Sequence, residues 1–540
     1  MPTMKEVGAP SAPARLPPRT SARHLTAVPG GGEGTPPSAA PEMTPASARI
    51  ERARLEAAAV SEMNTGHACI LLGGQALVIA ETADGKHSLT SFKALSDWLA
   101  CKPLRVPVVD ERTGRIDVKR IDRALTWKMH ERRRNVSHME FAPGVDLGAD
   151  YYNTWKGWQV QPIEDEGKAA APILRHIRDV WCGGDKLLFH WVLSWFAQLV
   201  QQPCQKPGTA IVLRGPEGAG KGVLAGVLMR RLLGQAYAQI IQPGQVTGRF
   251  NAVWASKLFV FADEAFWAGD KPAEGVLKGL ISEEEIGLEY KGKDVIFIKH
   301  HARVIFASNS DWVVPAGSTA RRYCVCDVLD TYRGNVAYHT ALRACVDGDG
   351  GASFLGYLKA YDFSGVDLRN PPVTGALLDQ KILSLESVPG WWRERLWSGY
   401  IDSPDVSGMP SDGSEDWPQS VVCTRLYASY AAYCKRTSVR YPEGEETFSR
   451  KLREFADITR RRAPADGLGK RAWVYRFGTD NVSGLHHQRG LFERWIGGAL
   501  SWSGDEPRRD LAAEAKADRE AMEAIPDDEF FQPHSADCPF

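Results

Sequence analysis

At 540 residues, 43% hydrophobic and 24% charged, the chain has ordinary globular composition and length for about two to four domains. Its 66 basic and 66 acidic residues cancel, which excludes a uniformly basic nucleic-acid coat but leaves local basic surfaces open. Ten cysteines with no C-x-x-C pair exclude a disulfide scaffold and a zinc ribbon, and no apolar run is long enough for a transmembrane helix or a signal peptide. The expectation is a cytoplasmic protein of a reducing compartment with no membrane partner.

Residues 1 to 48 hold ten of the 33 prolines and read as a disordered tail, followed by a short helix over Ala46 to Glu62. Order is expected from Met63, in an accessory α+β domain over 63–170. Ala68–Leu72 and Ala76–Ala80, split by Gly73-Gly74, predict a hairpin. Ser91–Ala100 and Ile121–Glu131 predict helices. Tyr151, Tyr152, Trp155 and Trp158 form an aromatic cluster, read as packing rather than as a ligand platform. Helical, aromatic-rich sequence from Ile173 to Gln202 then gives way to short buried strands at Ala210–Leu213, Leu258–Ala262 and Val304–Ala307, separated by helical segments. That alternation predicts an α/β fold with a parallel sheet flanked by helices. The close pair Cys324 and Cys326 reads as buried positions on a further strand.

The strand Ala210–Leu213 runs into Gly215-Pro216-Glu217-Gly218-Ala219-Gly220-Lys221-Gly222, a G-x-x-x-x-G-K phosphate loop that a helix leaves. Glycines let successive backbone N–H groups face phosphate oxygens, the helix N-terminus adds positive potential, and Lys221 would reach the β- and γ-phosphates of ATP. The match has a decoy: Gly287, Gly292 and Lys293 also fit the pattern, but no buried strand enters it and no helix follows. Gly222 departs from the usual Ser or Thr, whose hydroxyl binds Mg²⁺. The metal is then held by water and acidic residues, or held more weakly.

Forty-two residues after Lys221, an apolar strand ends in Asp263-Glu264. There the first carboxylate would organise Mg²⁺, partly through water, and the second would polarise the attacking water. Val304–Ser308 ends in Asn309, placed to orient that water or contact the γ-phosphate, or simply to start a turn. Arg321-Arg322 follow, either a surface basic pair or a guanidinium supplied to a neighbour's nucleotide.

The set Gly215–Gly222, Asp263-Glu264, Asn309 and Arg321-Arg322 resembles a superfamily 3 helicase, a ring-forming branch of the AAA+ ATPases. Ile286-Gly-Leu-Glu-Tyr-Lys291-Gly-Lys293 is similar to that group's inserted hairpin, which faces the central channel. Tyr152–Gly157, Gln201-Gln202-Pro203, Gly248–Asn251 and Trp312–Pro315 resemble the helicase part of phage primase–polymerases, so that the resemblance covers residues 63 to 397. It implies an AAA+-like core over 171–335 with preceding helices, and a helical extension over 336–400. It also implies a hexameric or similar homo-oligomeric ring on single-stranded or forked DNA, with ATP at subunit boundaries. Lys291 and Lys293 would track phosphates, or form a solvated basic turn; Lys299, His300 and His301 are expected to add to that surface. A primase or polymerase partner is expected to be a separate polypeptide.

After a linker at 401–419, residues 430–476 carry twelve Lys or Arg against six Asp or Glu. Helices over Thr424–Tyr433 and Glu445–Phe455 precede Arg460-Arg461-Arg462 and Trp473–Phe477, an order compatible with a basic winged-helix-like domain over 420–480. A DNA-binding role or a structural cap both fit it. The acidic tail from Asp505, within a final segment 481–540, is expected to fray. The leading functional expectation is an ATP-dependent DNA helicase of phage or prophage replication. The alternative is a nucleotide-gated assembly or loading factor that does not unwind; a P-loop small-molecule kinase is disfavoured by the arginine pair and the lysine hairpin.

Overall fold

A computed structural model describes residues 43–72, 74–82, 85–242, 252–264, 271–288, 296–318, 320–401, 417–464, 471–477 and 484–502. The proline-rich tail before residue 43, the segment Gly248–Asn251, Lys291 and Lys293, most of the expected linker, and the acidic end after 502 lie outside the described residues. The chain divides into two compact units, 1–62 with 96–130, and 63–95 with 131–540.

In the first unit, Leu55 and Ala59 of the helix Pro45–Gly66 pack on Leu104, Val106, Val108 and Ile121. Those four residues belong to an antiparallel hairpin, Leu104–Val109 with Ile116–Ile121. Asp122 caps the helix Arg123–Met129 by accepting the Leu125 N–H at 3.0 Å, and Arg123 pairs with Glu62 at 2.8 Å.

The second unit opens with the predicted hairpin, His67–Leu72 antiparallel to Gln75–Glu81. Tyr152 is buried there. Its hydroxyl donates to Glu81 at 2.7 Å, and the Lys156 ammonium lies 4.1 Å from its ring centroid while pairing with the same carboxylate at 2.8 Å. Trp155 and Trp158 meet edge to face at 5.7 Å and pack on the main core. The aromatic cluster is therefore a packing element.

The main sheet has five parallel strands: β1 (Ala210–Arg214), β2 (Tyr237–Ile240), β3 (Phe259–Asp263), β4 (Arg303–Ser308) and β5 (Tyr323–Asp327). Their spatial order is β2-β3-β4-β1-β5. Each strand feeds both faces, which is why the sequence shows continuous apolar runs rather than alternation. Ile211, Leu213, Phe259, Phe261, Ile305, Cys324 and Cys326 join the core formed with the helices Lys186–Gln201 and Gly350–Ala360. Ala210, Val212, Val260, Val304, Phe306 and Val325 join the opposite core, with Leu277, Leu280 and Ile281 of the helix Lys271–Ser282. The two close cysteines are thus buried packing groups.

Between β3 and β4 the chain makes an antiparallel pair, Glu285–Leu288 with Ile296–Lys299. Its root differs from expectation. His300 and His301 are buried rather than part of a basic surface, and Lys299 pairs with Glu140 at 2.7 Å. His300 Nε2 lies 2.9 Å from the Leu280 carbonyl oxygen, and Lys206 donates to the carbonyls of Leu280 and Glu283 at 2.8 and 2.9 Å. These groups satisfy the Leu280 carbonyl, one of the last in the helix Lys271–Ser282, which has no intrahelical donor. Burial, with Arg303 nearby, pushes Lys206 down to about 7, and burial, with Lys206 nearby, pushes His300 down to about 3.

Beyond the core, the helix Ser387–Ser398 is followed by the strand Ser420–Val422, the helices Cys423–Arg436 and Glu445–Leu452, and the strands Ile458–Pro464 and Arg471–Phe477. The strands form an antiparallel sheet with Arg471–Phe477 in the middle. Trp391, Trp392, Tyr430, Phe448, Tyr475 and Phe492 fill the core beneath it. Among the described residues no helix is long and apolar enough to cross a membrane.

Candidate functional site

The order of the five strands sets the site. Because β4 lies between β1 and β3, three chain segments leave the sheet at its carboxyl end as neighbours: the phosphate loop after β1, Asp263-Glu264 at the end of β3, and Ser308-Asn309 at the end of β4.

Two loop glycines are dictated by contact. A Cβ on Gly215 would sit 2.6 Å from the Val328 carbonyl oxygen. Gly220 has φ +93°, and a Cβ there would lie 2.6 Å from Cε1 of buried His176. Gly222 is different: its φ is −76° and the space around it is open, so neither backbone nor packing requires glycine. The helical segment that follows, Val223–Leu228 in wide π turns and then Met229–Leu233, has no side-chain cap at its start. Glu217 is exposed and Ala219 buried.

Lys221 is buried and turned inward. Its ammonium donates to the Gly215 carbonyl and, at 3.0 Å, to the Ser308 carbonyl, which also accepts the Gly215 N–H at 3.1 Å. Burial lowers its pKa, against the pull of Glu264, Asp263 and Glu217. Asp263 accepts from Gln239 of β2 at 3.1 Å; burial raises its pKa, and neighbouring Glu264 adds to the effect. Glu264 adopts φ +51°, a left-handed conformation uncommon for a residue with a side chain. That turn aims its carboxylate at β4, where it accepts the Ser308 hydroxyl at 2.8 Å and the Asn309 N–H at 2.9 Å. Among the described residues no group of three or more His, Cys, Asp or Glu could hold a metal ion. A single carboxylate at Asp263 suits Mg²⁺ that keeps most of its waters.

Arg214 ends β1, one residue before the loop. It forms a bidentate pair with Asp327 of β5, at 2.5 and 2.8 Å, and reaches Asp379 of the helix Gly375–Leu383 at 2.9 Å. The same residues, with Gly215, Pro216, Asn309 and Arg393, line a cavity of about 720 Å³. The cavity flanks the entry to the loop and does not include Lys221, Asp263 or Glu264.

Arg321 and Arg322 lie elsewhere. They precede β5, so they sit at the amino ends of the strands, with the Arg322 carbonyl accepting the Ala210 N–H at 2.8 Å. A strand of five residues rising about 3.3 Å each separates them from their own phosphate loop. Arg321 is exposed with no described partner, whereas half-buried Arg322 reaches the Ser282 hydroxyl at 3.4 Å. The structure thus gathers Lys221, Asp263, Glu264 and Asn309, and sets the arginines apart. Gln239, Ser308, His176 and the Arg214–Asp327–Asp379 cluster were not signalled by sequence, because each acquires its place only through sheet order.

Residues 213–322 match the model of a family of unknown function, DUF5906. No curated protein matches the chain. Among solved structures, the chain is similar to the apo structure of the NrS-1 C-terminal region (305–718), at TM-score 0.55 and 13% identity, over 79% of this chain and 99% of that chain. A second apo form of the same region gives TM-score 0.54 and 13% identity, over 78% and 99%. The X-ray structure of JCV helicase matches over 53% of this chain and 70% of that one at 13% identity; at TM-score 0.19 it carries no argument. The chain therefore shares its fold with the NrS-1 region.

Proposed function

We propose that this chain is an ATP-dependent DNA helicase of superfamily 3, built on an AAA+ core and working as a homo-oligomeric, hexameric ring on single-stranded or forked DNA in phage or prophage replication. The observation that carries the reading is the strand order, with β4 between the phosphate-loop strand and the Asp263-Glu264 strand. That order supports a site in which Lys221, Asp263, Glu264 and Asn309 would bind a nucleoside triphosphate and aim water at its γ-phosphate.

In this reading Lys221 exchanges the carbonyls of Gly215 and Ser308 for the β- and γ-phosphates. Asp263 would hold Mg²⁺, partly through water, and the ion when bound would supply positive charge to the phosphate oxygens. Glu264 polarises the attacking water, and Asn309, tied to Glu264 through its N–H, reports on the γ-phosphate. An arginine before β5 completes a neighbour's site, since it is remote from its own. Lys291 and Lys293, which fall in sequence between the two paired strands, would track DNA phosphates. The strand–helix–helix–strand–strand order of residues 420–477 is that of a winged helix and supports a nucleic-acid-binding end.

The test is ATP hydrolysis by the purified protein with and without single-stranded DNA, beside Lys221→Ala. Stimulated hydrolysis that disappears in the variant, together with strand displacement on a fork, is expected. Stimulation without displacement would move the assignment to a nucleotide-gated loading factor, and hydrolysis retained in Lys221→Ala would refute both.

A further inference from the structure

The strands Ile458–Pro464 and Arg471–Phe477 form a hairpin whose root belongs to the core and whose far part does not. Paired residues in such a ladder share a face. The pairs Ile458–Phe477, Arg460–Tyr475 and Arg462–Trp473 therefore lie along one face. Ile458, Tyr475 and Phe477 are buried in the carboxyl-terminal core, but two residues farther out Trp473 is 48% exposed. The Arg460 guanidinium lies 4.8 Å from the Trp473 ring centroid, covering one side of the indole. Arg460, Arg461 and Arg462 are all exposed, and none has an ion pair among the described residues. An exposed indole backed by a guanidinium, with no acidic partner for the three arginines among the described residues, is poorly explained as packing.

The second helix of this domain is less suited to a polyanion. The helix Glu445–Leu452 begins with Glu445 and Glu446, and Lys451 is already engaged by Glu386 and Glu443 at 2.6 and 2.9 Å. Helices that read duplex DNA present their first turns to the groove, and here that turn is acidic.

We propose that the Arg460–Arg462–Trp473 face of this hairpin binds unpaired DNA, one base stacking on Trp473 and the flanking phosphates meeting the arginines. Stacking needs a free base face, which a single strand offers and an intact duplex does not. The inference shares with the proposed function only the choice of DNA as ligand. It does not require nucleotide hydrolysis.

The experiment uses the full-length protein without nucleotide, titrated into a fluorescein-labelled oligo(dT) single strand and, separately, into a labelled duplex, read by anisotropy. Trp473→Ala is expected to weaken single-strand binding about tenfold, within the range for loss of one stacked base, while Trp473→Phe keeps most of the affinity and duplex binding changes little. Arg460→Gln with Arg462→Gln is expected to reduce the salt dependence of single-strand binding by roughly one to two counterions. Unchanged single-strand affinity in Trp473→Ala overturns the proposal, as do equal losses on single strand and duplex, or Phe and Ala variants that are equally weak. If Trp473→Ala melts early, Arg462→Gln alone decides: an unchanged salt slope refutes the site. Failure of Lys221→Ala to affect hydrolysis would sink the ATPase reading and leave this result standing.

Discussion

Ser308 donates its hydroxyl to the Glu264 carboxylate at 2.8 Å, so the acid that follows β3 is fastened to the end of β4. Its left-handed backbone and the Glu264 N–H bond to the Ala307 carbonyl at 2.9 Å hold it there. Replacing the charge while keeping the shape, as in Glu264→Gln, is expected to leave ATP binding near wild type and to lower kcat by about 10²-fold or more, the usual contribution of a general base. Ser308→Ala should cost only a few-fold. Equal losses of ATP affinity and kcat in Glu264→Gln would show that the residue shapes the pocket instead.

Gly222 has an ordinary φ and open space where a hydroxyl would fit. Gly222→Ser is therefore expected to fold normally and to lower the Mg²⁺ concentration needed for half-maximal hydrolysis. A magnesium titration of both proteins reads this directly; an unchanged midpoint would mean that the ion does not approach this position.

Gly220→Ala should do the reverse. The added methyl meets His176 at 2.6 Å in a left-handed conformation, a strain of roughly 1–3 kcal/mol. A lowered melting temperature together with lost nucleotide binding is expected, and Gly222→Ala serves as the tolerated control.

His176 gives a pH dependence. Burial pushes it down to about 4, against an ordinary value near 6.5 and against the pull of the Gly220 backbone, with its Nδ1 2.8 Å from the Tyr338 hydroxyl. The unfolded chain binds a proton at this residue that the folded chain refuses. Its contribution to stability is thus present above about 6.5 and is lost as pH falls toward 4. His300, pushed to about 3, acts with the same sign. Melting temperatures measured from pH 7.5 to 4.5 should fall less steeply in His176→Gln than in the parent, and parallel curves would refute this.

The separation of Arg321 from its own loop predicts complementation. Arg321→Ala and Lys221→Ala should each lose hydrolysis, by about 10³-fold for the arginine if it acts in the transition state. Mixed subunits should recover activity, because some boundaries then pair an intact loop with an intact arginine. A mixture as inactive as its parts would place both residues in one subunit's site, or neither in any.

Much of this was legible because the central strands are buried on both faces. Leu258–Ala262 and Val304–Ala307 could hardly be anything else, and their polar ends marked the opening. Edge strand β2 leaves no sequence signal, since Tyr-Ala-Gln-Ile is too short and mixed to announce itself. The root of the inserted hairpin misled for another reason. Lys299, His300 and His301 look like a basic surface in sequence, yet the two histidines are buried against carbonyls supplied from around residues 204 and 280. Buried Arg303 likewise finds the carbonyls of Gln202, Pro203 and Gln205 about a hundred positions away. Acceptors that distant leave no local pattern. Nor does sequence show that residues 96–130 form one unit with the helix that starts at Pro45.

The helix Gly375–Leu383 is attached at both ends of its reach. Asp379 grips Arg214, the residue before the phosphate loop, at 2.9 Å, and two positions later Lys381 donates to the Ile496 carbonyl of the last described helix at 2.7 Å. Both bonds involve buried or half-buried partners, and Leu378, next to Asp379, packs into the carboxyl-terminal core. The helix therefore works as a splint. Whatever displaces the start of that loop must either break an ion pair or carry the last described helix with it.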